Sequence, residues 1–305
     1  MSHAVDMGLG AGLSSGSLLV EPNDGVTPLI KLIDHAQNRI FVSAYILSQK
    51  RIVRALDRAE AQGVDVLVLL DKTPFGITGQ PEQMYSQLHA AGIGVQWSPA
   101  WFQFAHAKFM VLDDHTLVLS SANFTLAGFA HDRDFVLFDH SPADVREADN
   151  IFRADWDRIA PQLTDSNLLV SPSNARSKLD QLIARAKHSL DLYSEEVLDA
   201  GIVARLARDA RHGVRVRIIA TTVSAAATRI LAAAHARVKS GTASARSLYV
   251  HAKAIVVDNR LAFLGSENIS TTSLNDNREL GVVVRDPYVV GRLELTFSSD
   301  WRTIP

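Results

Sequence analysis

The first hundred residues alternate two kinds of apolar pattern. Ile40 to Ile46 is a short, largely apolar run that fits a strand. Ile52 to Ala61 places its apolar residues at helical spacing, and Gly63 stands where a helix C′ residue takes a left-handed backbone. Val64 to Leu70 is almost wholly apolar, as a strand covered on both faces must be. Glu82 to Ala91 reads as a helix and Val95 to Trp97 as a strand. Upstream, Thr27 as N-cap and Pro28 at N1 predict a helix through about Gln37. Two apolar runs, Lys108–Leu112 and Leu117–Leu119, flank Asp113-Asp114-His115-Thr116 and predict a hairpin. Ser141-Pro142 opens a closing helix that carries Phe152 and Trp156.

The same pattern then begins again. Ser17–Pro22 matches Asn167–Pro172 at an offset of 150, and Ile52–Val64 matches Ile202–Val214 at the same offset. Phe152, Asp155 and Trp156 recur 145 residues later as Phe297, Asp300 and Trp301, and Asp286-Pro287 opens the second closing helix. The chain therefore divides into residues 17–160 and 167–305, each of domain size, with a boundary around Pro161 and a flexible tail expected over residues 1–16. Alternating helices and strands imply an α/β class: two homologous sandwich halves, each a mixed sheet flanked by helices.

Composition narrows the setting. The 305 residues are 47% hydrophobic and 21% charged with a net charge of −2, so no global basic field draws in nucleic acid or an anionic membrane. There is no cysteine, which removes disulfides and thiolate metal sites. No apolar run approaches the ~18 residues of a membrane span. A soluble chain is expected, with the compartment open.

The duplicated segments carry the chemistry. His106, Lys108, Asp113, Asn123 and Asp134 recur as His251, Lys253, Asp258, Asn268 and Glu279, with identical spacings of 2, 5, 10 and 11. On a strand, residues two apart share a face, so each His–Lys pair projects together. Asn123 and Asn268 lie just past the returning strands, and a pseudo-twofold packing of the halves would join both hairpin ends into one site. Two imidazoles, two ammonium groups and two amides suit phosphate chemistry, since one imidazole can attack while the other handles the proton. Asp113 and Asp258, at the hairpin turns, read as structural. Arg133 and Arg278, each just before an acid, read as surface ion pairs in preference to phosphate ligands. Glu195-Glu196 follows a strand and would be costly beside phosphate, so a lysine partner or solvent is expected for it.

The pattern H-x-K-x4-D-x6-G-S-x-N, present twice, resembles the phospholipase D superfamily, and the likeness runs from about Ser17 to Trp301. The second copy fits fully. The first has Ser120 in place of Gly and Asp134 in place of a glutamate. The resemblance implies the two-halved phospholipase D-like fold and a metal-independent phosphodiesterase without cofactor, hydrolysing or transferring a phosphatidyl group. It implies His106 as the nucleophile that becomes a phosphohistidine and His251 as acid/base. Lys108, Lys253, Asn123 and Asn268 would bind the non-bridging oxygens, Ser121 and Ser266 would add hydroxyl donors, and Asp134 and Glu279 would orient the histidines. Since both motifs lie in one chain, a monomer suffices for one site.

The substrate divides three ways. A phospholipid fits the aromatic stretch Trp97–Phe104, where Trp101 and Phe104 can line an acyl-chain rim and allow peripheral contact with a membrane. The corresponding second-half stretch, Ser240–Ser247, is small and polar, so the entrance should be asymmetric. DNA or RNA would use the same histidines, with stacking on the aromatics, but a nuclease tracking several phosphates would show more clustered Lys and Arg. A noncatalytic binding protein is the third reading, disfavoured because every reactive group is present in both halves.

Overall fold

The computed structural model describes residues 17–164, 166–243 and 248–304. The expected tail, 1–16, and residues 244–247 of the small polar stretch lie outside the described residues. In the first half the order is β1 (Ser17–Glu21), α1 (Thr27–Asp34), β2 (Arg39–Ala44), α2 (Lys50–Ala61), β3 (Asp65–Leu70), α3 (Gln80–Ala90), β4 (Gly94–Trp97), β5 (Lys108–Leu112), β6 (Thr116–Ser120), α4 (Leu126–Ala130), β7 (Asp132–Asp139) and α5 (Pro142–Trp156). The second half continues with β8 (Leu168–Ser171), α6 (Ala175–Ile183), β9 (Ser189–Val197), α7 (Ala200–Arg211), β10 (Arg215–Val223), α8 (Ala225–Ala233), β11 (Arg237–Ser240), β12 (Tyr249–Val250), β13 (Ala254–Val257), β14 (Leu261–Gly265), α9 (Thr271–Asn275), β15 (Glu279–Val284) and α10 (Pro287–Thr303).

Each half builds one mixed sheet with the same strand order. The first runs β1-β7-β6-β5-β2-β3-β4 and the second β8-β15-β14-β13-β9-β10-β11. The parallel strands β2, β3 and β4 come from the strand–helix alternation, and the antiparallel strands from the motif hairpin and its flanks. The fold is thus two mixed sheets flanked by helices, as the duplication implied.

The apolar pattern sorts into three cores. One lies under α1, α2 and α3 on the outer face of the first sheet, and a second under α6, α7 and α8 on the outer face of the other. The largest lies between the sheets and contains residues of both halves, among them Phe41, Phe109, Phe152, Tyr193, Leu264 and Phe297. The closing helices α5 and α10 fill this layer: Phe152 stacks on Phe41 at 4.7 Å, and Phe297 packs edge-on to Tyr193 at 4.8 Å. Burying two aromatic rings on each closing helix explains why Phe and Trp recur there.

Two local expectations change. Val26, not Thr27, is the N-cap of α1, and no side chain caps it. The helix ends at Asp34 because the amides of Gln37, Asn38 and Arg39 turn to the carboxylate of Asp113 at 2.8 to 3.1 Å. The caps of α5 and α10 hold as expected, with Ser141 accepting from Asp144 N and Asp286 from the amides of Tyr288 and Val289. At the hairpin tips, Asp113, Asp114, Asp258 and Asn259 all have φ between 49° and 62°, the left-handed pair that a two-residue turn needs.

Candidate active site

The route of the chain into each motif decides which residues meet. The segment entering His106 runs beside the residue that precedes Glu279: Arg278 N donates to Phe104 O at 2.9 Å, and His106 N donates to Arg278 O at 2.8 Å. The segment entering His251 does the same in the other half. Strand β12 pairs in parallel with Asp132–Arg133, and the amides of His251 and Ala252 donate to Arg133 O at 3.2 and 2.9 Å. Each histidine is thereby fastened through backbone to the acid-bearing strand of the opposite half.

The side chains follow. His106 Nδ1 lies 2.8 Å from Glu279 Oε2, and His251 Nδ1 lies 3.0 and 3.1 Å from the two oxygens of Asp134. Spacing in sequence associates each acid with its own half; the structure crosses them. Asp134 is held in turn by the Ser121 hydroxyl at 2.6 Å. Glu279 is held by Ser273 Oγ at 2.7 Å and Asn277 Nδ2 at 3.0 Å. Both carboxylates are fully buried.

Two expected substrate donors are corrected here. Ser121 and Ser266 are completely buried and turned inward: Ser121 serves Asp134 and the backbone of Phe135, and Ser266 the backbone of Leu280. Arg133 and Arg278 are not surface pairs either. Arg133 reaches across to Asp300 at 2.7 and 3.1 Å, and Arg278 reaches across to Asp155 at 2.8 Å with two nitrogens. A forked guanidinium suits a buried carboxylate, and the repeated Asp155 and Asp300 supply one in each closing helix.

The remaining motif residues stand as follows. Lys108 and Lys253 are fully buried, and each ammonium donates to the carbonyl of its own histidine. Asn123 and Asn268 follow β6 and β14, beside the ends of β2 and β9, through Phe124 N to Ile46 O and Ile269 N to Glu196 O at 3.1 Å each. The Oδ1 of each asparagine is buried without a hydrogen-bond partner. Asp113 and Asp258 each accept three backbone amides that start a neighbouring strand, which is a structural task. Trp101 is exposed and packs edge-on to Phe102, whereas Phe104 packs edge-on to Tyr45 at 5.9 Å. Tyr45 in turn lies 4.5 Å from the His106 ring, which joins Phe104 to the site by aromatic contact.

One pair of positions breaks the repeat. Tyr45 and Glu195 are 150 residues apart, the offset that relates β2 to β9, so they occupy equivalent places beyond those strands' shared stretch. The Tyr45 ring packs on His106 and lies 5.1 Å from Lys108 Nζ. The Glu195 carboxylate lies 3.3 Å from Lys253 Nζ and 3.5 Å from His251 Nε2, and accepts from the Tyr249 hydroxyl at 2.9 Å. The lysine partner expected for Glu195 is thus Lys253, inside the site. Tyr45, Tyr249, Ser273 and Asn277 escaped the sequence reading. Aligning the halves at the 150 offset would have put Tyr45 opposite Glu195; Ser273 and Asn277 leave no such trace, because the first half has Gly128 and Asp132 there.

Burial sets the charges. It pushes the His106 imidazole down to about 4 despite Glu279, and the Lys108 ammonium down to about 7. Burial alone would raise Glu279, but His106, Lys108 and Asn277 outweigh it and hold the carboxyl below its usual range. Glu195 follows the same balance, with Lys253, His251 and Tyr249 winning over burial. Among the described residues no group of three or more His, Asp or Glu is arranged to hold a metal ion, and no helix is long and apolar enough to cross a membrane.

The chain matches the family model described as cardiolipin synthase, PLD-like domain, twice, over residues 29–156 and 179–301. It is 31% identical over 144 residues to a phospholipase D of Rickettsia bellii, covering 45% of this chain and 60% of that protein. It is 26% identical over 160 residues to the mitochondrial cardiolipin hydrolase of Danio rerio, covering 52% of this chain and 67% of that one. The match thus spans less than two thirds of the Rickettsia relative. In fold it is similar to the phosphatidylserine synthase of Haemophilus influenzae, with a TM-score of 0.70 at 15% identity over 95% of this chain and 87% of that one. It is also similar to the polyphosphate kinase of Porphyromonas gingivalis, with a TM-score of 0.75 at 17% identity over 93% and 50% of the two chains.

Proposed function

The chain belongs to the phospholipase D-like family, and from that premise we propose that it is a phosphodiesterase acting on a phospholipid through a phosphohistidine. The observation that carries this reading is the crossed pairing of His106 with Glu279 and of His251 with Asp134. Neither half makes a complete His–carboxylate pair, so the two halves build a single site with two imidazoles and two buried ammonium groups.

The reaction runs in two balanced steps. The lone pair on His106 Nε2 attacks phosphorus, the bond to the leaving alcohol breaks, and that oxygen takes a proton from His251. Water then gives a proton to His251 as its oxygen attacks phosphorus, and the P–N electron pair returns to His106. An acceptor alcohol in place of water gives transfer of the phosphatidyl group. Lys108, Lys253 and the amides of Asn123 and Asn268 carry the growing charge on the non-bridging oxygens. The buried carboxylates fix which nitrogen of each imidazole is presented, as a triad acid does. This route asks nothing of a metal ion, because the lysines supply the positive charge.

Several features favour a phospholipid over DNA or RNA. The net charge is −2, and Trp101 and Phe104 supply apolar surface on the first-half side. The names of two relatives, a phospholipase D and a cardiolipin hydrolase, point the same way.

The test is a panel of short-chain phospholipids and single- and double-stranded oligonucleotides, assayed in EDTA with His106→Ala as control. Headgroup release from at least one phospholipid, lost in the variant, is expected, with a primary alcohol diverting product to the transphosphatidylated lipid. His106-dependent cutting of oligonucleotides without any headgroup release would replace the lipid reading by the nuclease one.

A further inference from the structure

The two halves are equivalent in their histidines, lysines and asparagines, so the motif alone does not say which imidazole attacks. The surroundings of the two Nε2 atoms do. His106 has a carboxylate at Nδ1 and the Tyr45 ring alongside; among the described residues its Nε2 has no hydrogen-bond or ion-pair partner. His251 has a carboxylate at each nitrogen, Asp134 at Nδ1 and Glu195 at Nε2.

A neutral imidazole carries one N–H and one lone pair. With Nδ1–H donated to Glu279, His106 keeps its lone pair on Nε2, free to attack. His251 has an anion beside each nitrogen, so a proton on Nδ1 faces Asp134 and a proton on Nε2 faces Glu195 at 3.5 Å, where it is held ready for a leaving oxygen. Asp134 and Glu195 face it directly and Asp132 lies nearby on β7, while Lys253 stands beside Glu195 and Lys108 acts on the same two carboxylates from the other half.

We propose that Glu195 is a positioning residue that reserves the proton-bearing role for His251, and that Tyr45, at the equivalent place, leaves His106 to be the nucleophile. When the diester binds, its leaving oxygen takes the place of Glu195 Oε2 at His251 Nε2 and receives that proton; Glu195 keeps its bond to the Tyr249 hydroxyl through Oε1. Glu195 itself neither forms nor breaks a bond to substrate. The inference rests on the two-histidine reaction above but adds the device that makes its two halves unequal.

The experiment compares a diester with an alkyl leaving group, dihexanoyl phosphatidylglycerol, and one with a p-nitrophenyl leaving group, which departs with little need of an acid. Glu195→Gln should lower kcat on the alkyl diester by about tenfold or more, within the range that general acid catalysis supplies, and on the nitrophenyl diester by under about threefold. Glu195→Asp should restore part of the loss. Equal losses on both substrates would mean that Glu195 only supports the fold, and would overturn the proposal. A second measurement needs no variant or turnover: nitrogen-15 NMR of the histidines in the ligand-free protein at pH 7. It should show a proton on Nε2 of His251 and His106 bare at Nε2; the reverse pattern, or two identical rings, would overturn the proposal. Absence of His106-dependent cleavage of either diester would instead remove the functional reading, and the NMR pattern would still stand or fall by itself.

Discussion

At the scale of single residues, burial works against charge at two positions that need opposite outcomes. In the proposed reaction His106 must be neutral to attack, and burial that holds it at about 4 keeps it so over most of the pH range. In the same reaction Lys108 must be charged to stabilise oxygen, and burial that lowers it to about 7 puts its charge at risk. The signs give a bell. Activity should rise with pH as His106 loses its proton near pH 4, and loss of the Lys108 proton near pH 7 should contribute to the fall on the alkaline side, where the acid His251 must also keep its proton. A kcat/KM profile flat from pH 4 to pH 9 would contradict this. In Lys108→Arg the guanidinium does not titrate in that range, so the part of the alkaline fall that Lys108 contributes should vanish even where the longer side chain lowers the maximum. The crossed pairing makes a second prediction. Asp134→Asn should impair His251, not His106, with a loss of about 10²–10⁴-fold in kcat, the range that a positioned acid–base group supplies. Because the two residues act as one unit, adding Asp134→Asn to His251→Ala should cost almost nothing further, whereas adding Glu279→Gln to it should cost more. Equal additivity in both doubles would refute the crossing. The sequence named all four of these residues. It did not reveal the crossing, because that depends on β12 and the Phe104–His106 segment each leaving its own sheet, and no spacing encodes that.

At the scale of elements, the departure of Ser120 from the family pattern has a packing cause. In the second half the pair opposite each other on β14 and β15 is Gly265 and Gly281; in the first half it is Ser120 and Val136. Between the glycines sits the carboxyl group of Glu267, fully buried, where the first half has only Ala122. A Cβ added at Gly265 would lie 2.3 Å from Glu267 Oε2, and one at Gly281 2.6 Å from the same atom. Neither distance is tolerable, and a Cβ at Gly281 would also run into the Phe263 ring and one at Gly265 into the Gly281 Cα, so glycine at both positions makes room for Glu267 and Phe263 together, whereas Ser and Val fill the space beside Ala122. Gly265→Ser should therefore destabilise the protein by about 1–3 kcal/mol, the usual cost of overpacking. Part of that loss should vanish in a Glu267→Ala background, giving a coupling that a double-mutant cycle on thermal unfolding would measure; strict additivity would show that the clash lies elsewhere. Burial, with the nearby Glu279 charge, also pushes Glu267 far above its usual range, so it is neutral in the fold. In the unfolded chain it ionises above about 4.5. Its presence therefore costs stability as pH rises past that point, and the advantage of removing it should be larger at pH 7 than at pH 4. The hairpins themselves were legible from the apolar runs and turn residues. The exchange of Ser-Ala-Val for Gly-Glu-Gly was visible only as an isolated oddity, because its three members are brought together by strand pairing and not by sequence.

At the scale of the whole molecule, the duplication is a dimer-like interface folded into one chain. The reciprocal pairs Arg133–Asp300 and Arg278–Asp155 relate the halves as a twofold axis relates two subunits. The core between the sheets draws large apolar side chains from both halves, including one face each of α5 and α10. The repeated Phe, Asp and Trp of the closing helices were plain in the sequence as a coincidence of spacing. Their meaning was not, since an Asp amid apolar residues looks like a solvent-facing position until the guanidinium from the other half is seen beside it. Two consequences follow for stability. Asp155→Ala leaves Arg278 buried without its carboxylate, and losing one member of such a pair costs about 3–5 kcal/mol; the equivalent Asp300→Ala should cost less, because Asp300 is the more exposed of the two acids. The larger consequence concerns independence. Residues 17–160 alone would expose the inner face of their sheet and keep His106 without Glu279, and residues 167–305 would keep His251 without Asp134. We expect neither segment alone to melt cooperatively or to form a phosphohistidine. Mixed at equal concentration they should associate and recover phosphodiesterase activity, with a dependence on protein concentration that the single chain lacks. A mixture carrying Asp134→Asn in the first segment should then fail at the step that His251 performs, although His251 resides in the other polypeptide. Activity from either segment by itself would show that the site does not require the opposite half, and the shared-site reading would fall with it.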